Sequence, residues 1–192
     1  MKKSASIVSV GSWNPRIFTP SWVSANVFAM PEGESMNISL NEKQMNLAYT
    51  WKDILLLIVD RGIEMKSDKV SMETLQSMEE IYNRLSQTLP YTPLTAVGFN
   101  LNLILTKDEY EKTTMAGLIT QQTVDIYKSQ SQSFVAEKDG AIRSFDIRKQ
   151  NDSVEIRCNF HYNMPQELPT CGSVFPIIIS EQKHFLGYEL SI

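Results

Sequence analysis

Asp60, Glu64 and Lys66 come nearest, by type and spacing, to a reaction centre in this chain. Two carboxylates in a D…ExK arrangement can hold a divalent cation while the lysine supports an attacking water, the chemistry of metal-assisted hydrolysis. The local pattern resists that use. Arg61-Gly62 reads as a two-residue turn, so Asp60 faces Ile63 and points to the side of the sheet opposite Glu64 and Lys66. A charged hairpin tip accounts for all three residues. Cys158, His161, Cys171 and His184 supply the ligand types of a structural zinc site. Cys158 and His161, however, stand three apart in an extended segment and point to opposite faces, whereas a zinc pair at that spacing needs a turn between its members. Cys171 lies in a loop-forming stretch, Pro169 to Gly172, but a thiol nucleophile also needs a base and an orienting acid, and neither is suggested nearby.

Two further sets could bind rather than react. Gly98, Asn100 and Asn102 share one face of an extended segment, where glycine could admit a ligand close to the backbone and the asparagines could line its approach. A glycine inside a strand more often marks a bulge or a helix lying close above, which is the expectation here. Trp13, Trp22 and Trp51 all fall in the first third, among prolines and Met30, Met36 and Met45. Aromatic residues and methionines are enriched at protein interfaces, so these tryptophans are the candidate protein-binding residues, with capping of the core as the plainer alternative. Asp108, Glu109 and Glu111 are explained by the dipole of a helix start. The chain has no GxGxxG, P-loop, HExxH or GxSxG motif. No catalytic residue, metal ligand or cofactor is assigned.

The elements that must position these residues are legible from periodicity. Leu94 to Leu105 alternates, with Val97, Phe99, Leu101, Leu103 and Leu105 on one face and Ala96, Gly98, Asn100 and Asn102 on the other, which predicts a strand near the middle of a sheet. Pro90 and Pro93 separate it from a helix over Ser71 to Leu89, whose apolar stripe is Leu75, Met78, Tyr82, Leu85 and Leu89, capped by Ser71 with Glu73 in its first turn. Ser4 to Val10 reads as a strand, Pro20 to Phe28 as a short helix, and Glu34 to Leu40 and Met45 to Trp51 as short strands. Ile54 to Val59 is apolar without alternation, the pattern of a strand buried on both faces, and it turns back into Ile63 to Lys66. Thr106 can cap a second helix that buries Met115, Leu118 and Ile119.

A three-stranded meander follows, turning at Asp139-Gly140 and again at Gln150 to Ser153. Its register places Phe134 opposite Phe145, Phe145 opposite Cys158 and Ile147 opposite Ile156. The other face then pairs Asp146 with Arg157 and Arg148 with Glu155, each pair worth roughly 0.2 to 1 kcal/mol, and a slip of one residue breaks both faces at once. Gln121 to Gln132 shows no clear pattern. Ser173 to Ile192 suits a helix slightly better than a strand. Ile54 to Leu89 and Ala141 to Leu190 then form two hairpin-plus-helix units.

The 192 residues, 42% hydrophobic and 21% charged, suit a single α+β domain with possible sub-units 1–105 and 106–192. A net charge of -4 without a clustered basic window argues against nucleic acid. The short apolar run near Met1 is too broken for a secretory signal, and nothing approaches the ~20 apolar residues of a membrane span. A soluble cytoplasmic protein with reduced thiols is expected. The function expected is non-enzymatic: binding or assembly through self-association, a dimer favoured, or docking to a larger protein, with a small metal-dependent hydrolase or nuclease as the alternative. Met45 to Trp51 carries no charge or proline, so its edge needs covering by Pro20 to Phe28 or by another chain.

Overall fold

In the computed structural model, which describes residues 1–41, 46–59, 61–116, 129–150, 152–163 and 174–187, the alternating segment read as central becomes β6 (Leu94–Thr106). Val97, Phe99, Leu101, Leu103 and Leu105 are all buried on one of its faces. β6 lies between β1 (Lys2–Gly11) and β9 (Ser153–Asn163). Beyond β1 the sheet continues through β5 (Gly62–Ser67), β4 (Ile54–Val59), β3 (Asn46–Trp51) and β2 (Asn37–Asn41). Beyond β9 it continues through β8 (Ala141–Gln150) to β7 (Ser129–Lys138). Every neighbouring pair in this nine-stranded sheet is antiparallel, which makes the fold α+β.

The helices follow their sequence signals closely at their starts. The Thr19 hydroxyl accepts from the Trp22 backbone N–H at 3.4 Å, so Pro20 opens α1 (Pro20–Trp22), which runs on as a π-helical segment, Val23–Phe28. Ser71 accepts from Thr74 N–H at 3.2 Å at the start of α2 (Met72–Thr88). Thr106 and Glu109 form a reciprocal capping box on α3 (Lys107–Glu111). That helix is shorter than the sequence implies: the chain leaves it after Glu111, and Met115 is buried from a turn instead. Leu118 and Ile119 lie outside the described residues. The tail is helical as α4 (Val174–Leu186).

All strand residues in the continuous apolar core belong to one face of the sheet, and the helices pack there. Leu75, Met78, Tyr82 and Leu85 of α2 are buried as the stripe requires, joined by Ile81, and Leu89 packs against the same core. Phe99 sits at the centre, edge-on to Tyr82, Tyr162 and Phe175 with ring centroids 6.0, 6.1 and 5.7 Å away. Aromatic contacts of this geometry add roughly 0.5 to 1.5 kcal/mol each beyond area burial. The two hairpin-plus-helix units are present as β4–β5–α2 and β8–β9–α4, on either side of the β1–β6 pair.

Register holds in the meander and shifts at the first hairpin. Phe134↔Phe145, Phe145↔Cys158, Ile147↔Ile156, Asp146↔Arg157 and Arg148↔Glu155 are all partners as expected, and Asp139 and Gly140 take positive φ of 53° and 74°, as a type I′ turn needs. The strands of the second turn run to Gln150↔Ser153, further than a four-residue loop implies. At the β4–β5 hairpin Val59 pairs with Gly62, so Arg61-Gly62 is not the two-residue turn and Gly62 belongs to β5. Its glycine is required by proximity: an added Cβ would lie 2.9 Å from the Ser9 carbonyl of β1.

Two expectations about exposure fail together. Ile54, Leu56 and Ile58 are buried, but Leu55, Leu57 and Val59 are only half-buried, because the described helices cover one face alone. Met45 to Trp51 is not an edge either. Asn46–Trp51 lies inside the sheet, with β2 hydrogen-bonded along it, so that β2 is the terminal strand.

Candidate functional site

Among the described residues, those that could have done chemistry are dispersed. Glu64 and Lys66 share the face of β5 away from the helices and pair with each other at 2.9 Å; Asp60 lies outside the described residues. Leu55 and Leu57 are their cross-strand neighbours on β4, so the pair is flanked by hydrocarbon and not by further acids. Cys158 faces the core, where the Gln182 amide donates to its Sγ at 3.3 Å and burial pushes the thiol pKa far up. A thiol held in that state is a small hydrophobe, not a nucleophile. His161 is on the opposite face, its ring nitrogen 2.7 Å from Asn163 Oδ1, while His184 is exposed on α4. Cys171 lies outside the described residues. Among the described residues no group of three or more His, Cys, Asp or Glu side chains could hold a metal ion.

Gly98 has neither a bulge nor a described helix above it. Pairing with β1 runs unbroken from Lys2↔Ile104 to Val10↔Ala96, and the face that Gly98 shares with Asn100 contributes nothing to the apolar core. A Cβ added there would make only ordinary contacts, 3.5 Å from Asn159 Nδ2 and 3.9 Å from His161 Nδ1. Around it runs a strip of short polar side chains: Asn159 donates to Asn100 Oδ1, and Asn100 Nδ2 donates to Ser6 at 3.2 Å. Cross-strand amide and hydroxyl bonds of this kind keep an open sheet face hydrated and ordered.

The three tryptophans separate. Trp13 is buried in the core beside Phe18. Trp22 is half-buried, edge-on to Phe18 with centroids 5.3 Å apart. Trp51, at the end of β3, packs on Phe28 at 5.5 Å, donates its indole N–H to Glu34 at 2.7 Å and carries Lys52 over its ring at 4.3 Å. Trp22 and Trp51 are therefore partly exposed, and Trp13 is not.

Sequence reasoning passed over the buried charged groups of the described residues, Arg143, Glu79 and Lys149. Arg143 is 5% exposed, lies over Phe160 at 4.6 Å and pairs with Glu181 of α4 and, at 2.5 Å, with Asp139. It stands in the core-facing alternation of β8 between Ala141 and Phe145, a position legible once the meander register is known. Beside it Phe134, Phe145 and Ala136 line a hollow of about 360 Å³ under the end of α4. Glu79, buried within the α2 stripe, accepts from the Phe175 backbone N–H at 2.8 Å, in the first turn of α4. Only the packing of α4 against α2 makes sense of a buried acid there.

Among the described residues, the surfaces left open are an edge and a face. On β2, Asn37 to Leu40 are all exposed, Ile38 and Leu40 at 48% and 55%, and the strand contains no charge and no proline. The far edge, β7, ends in Glu137 and Lys138. The helix-free face carries Leu55, Leu57 and Val59 of β4 beside Val8 and Val10 of β1, separated by Glu64 and Lys66. No helix of the described residues is long and apolar enough to cross a membrane. No known protein-family model matches the chain, and no curated protein matches it in sequence.

Proposed function

We propose that this chain is a non-enzymatic assembly protein that self-associates through its sheet edge, working in the cytoplasm with its thiols reduced. The observation that carries this reading is β2: a terminal strand without charge or proline, presenting Ile38 and Leu40 to solvent. An unpaired row of backbone N–H and C=O groups is a template for another strand, and monomers blunt it with lysine, proline, a bulge or a covering element. None of these lies within β2. Two copies related by a twofold axis pair β2 with β2 in antiparallel fashion, an isologous contact in which the exposed Ile38 and Leu40 side chains meet across the join. Trp51, partly exposed at the end of β3, lies at the margin of that contact.

Size-exclusion chromatography with light scattering at micromolar concentration tests the reading. The wild-type chain is expected at dimer mass or above, Leu40→Lys should lower that mass, and Arg157→Ala, on the far wing of the sheet, should leave it unchanged. A wild-type chain that runs as a clean monomer overturns self-association.

A further inference from the structure

Among the described residues, the double apolar character of β4 has only half of its explanation. Ile54, Leu56 and Ile58 meet the helices, while Leu55, Leu57 and Val59 lie on the helix-free face with Val8 and the 40% exposed Val10. A run apolar on both sides is what a strand covered on both sides requires. We propose that the cover is a second copy of this chain, stacked sheet on sheet over β1, β5 and β4.

Charge selects a second copy over a foreign partner. The apolar strip is crossed by one acid and one base, Glu64 and Lys66, adjacent on β5. A partner of one predominant charge satisfies one of them and repels the other. A twofold axis running across the strands at the level of Met65 places Lys66 of each copy over Glu64 of the other. Because Leu56 is the partner of Met65, the same axis puts Leu55 of each copy over Leu57 of the other, and residue i meeting j while j meets i is the condition for an isologous interface. β1, β5 and β4, about 4.8 Å apart, make a strip about 15 Å wide, and about 20 Å of strand along it gives roughly 300 Å², the apolar centre of a contact that reaches the roughly 800 Å² of a standard partner share by continuing over the flanking strands. Aligned sheets stack about 10 Å apart, a gap that leucine and valine side chains from two faces fill. The strip of Ser6, Asn100 and Asn159 then forms part of a polar rim.

This inference rests on the reading of an assembly protein but not on the β2 edge, and β5, an interior strand, separates the two experimentally. Glu64→Lys and Lys66→Glu are each expected to weaken association at least tenfold in sedimentation equilibrium, since each places like charges across the axis. Mixed together in equal amounts, the two variants should associate with each other at near wild-type affinity, because one now presents two bases and the other two acids. Leu57→Lys should weaken association and, unlike the charge variants, should not be rescued by mixing. Far-UV circular dichroism and a melting curve show that each variant remains folded; all three positions lie on the open face. Loss of association in Leu40→Lys with none in the face variants overturns the stacked interface and leaves the edge reading standing. Loss in the face variants with none in Leu40→Lys does the reverse. Loss of part of the mass in each supports both contacts. A wild-type monomer overturns both, and single-variant losses that mixing does not rescue overturn the twofold arrangement.

Discussion

Phe99 shows how much of this structure passes through single side chains. It is buried at the middle of β6 and touches Tyr82 of α2, Tyr162 of β9 and Phe175 of α4, so three elements from distant parts of the chain meet on one ring. Phe99→Ala removes those contacts and leaves a cavity that a rigid sheet closes poorly; a loss of about 3 to 5 kcal/mol in urea unfolding is expected. Glu79 is a second such residue with the opposite chemistry. Its buried carboxylate accepts from the Phe175 N–H, so Glu79→Ala leaves a buried donor in the first turn of α4 without that acceptor, at a cost of about 1 to 3 kcal/mol. Because the lost bond belongs to α4, amide exchange should speed up over Val174–Leu186 more than over β6, and uniform acceleration across the sheet would show that Glu79 serves the core generally.

At the scale of the element, the meander separates register from side-chain pairing. Asp146 and Arg157 are backbone partners, as are Arg148 and Glu155, and the apolar row on the other side holds this register in place. Yet Arg157 pairs with Glu155 of its own strand at 2.9 Å, and Asp146 accepts from the Ser133 hydroxyl of β7. Residues two apart on a strand share a face, and a long guanidinium arm on an exposed surface reaches whichever carboxylate lies along it. A double-mutant cycle on Asp146 and Arg157 is therefore expected to show coupling of less than about 0.3 kcal/mol, whereas one on Glu155 and Arg157 should give about 0.2 to 1 kcal/mol, the range of exposed ion pairs. The reverse ordering would show that the cross-strand pair forms in solution.

For the whole molecule, the described helices lie on one face of a nine-stranded sheet, and the proposed assembly would cover the other. Folding linked to assembly gives a melting temperature that rises with protein concentration. Half of RT ln 10 per protomer, spread over the unfolding entropy of a chain this long, predicts a rise of roughly 1 to 3 °C for each tenfold increase in concentration. A melting temperature independent of concentration from about 1 to 100 μM, measured by scanning calorimetry, would mean that the folded unit is the monomer.

Local information in the sequence determined the elements wherever one signal governed them. Strict alternation made Leu94–Thr106 a strand, the spacing of Leu75, Met78, Tyr82 and Leu85 made Met72–Thr88 a helix, and Asp139-Gly140 set the meander register. The same reasoning placed Cys158 and His161 on opposite faces, because a period of two is a property of the strand itself. What lies across a strand, by contrast, belongs to no segment. Apolar side chains on both faces of β4 are compatible with a chain that covers both or only one, and only the assembled sheet shows that the described helices take a single side. Tertiary structure likewise decided that β2 lies outside β3 and inherits its unguarded edge, that Trp13 goes inside while Trp51 stays partly exposed, that Glu79 is buried against Phe175, 96 residues on, and that Arg143 meets Glu181, 38 residues on, besides its near neighbour Asp139. These outcomes turn on long-range competition for one limited apolar interior, and no window of neighbouring residues contains that competition.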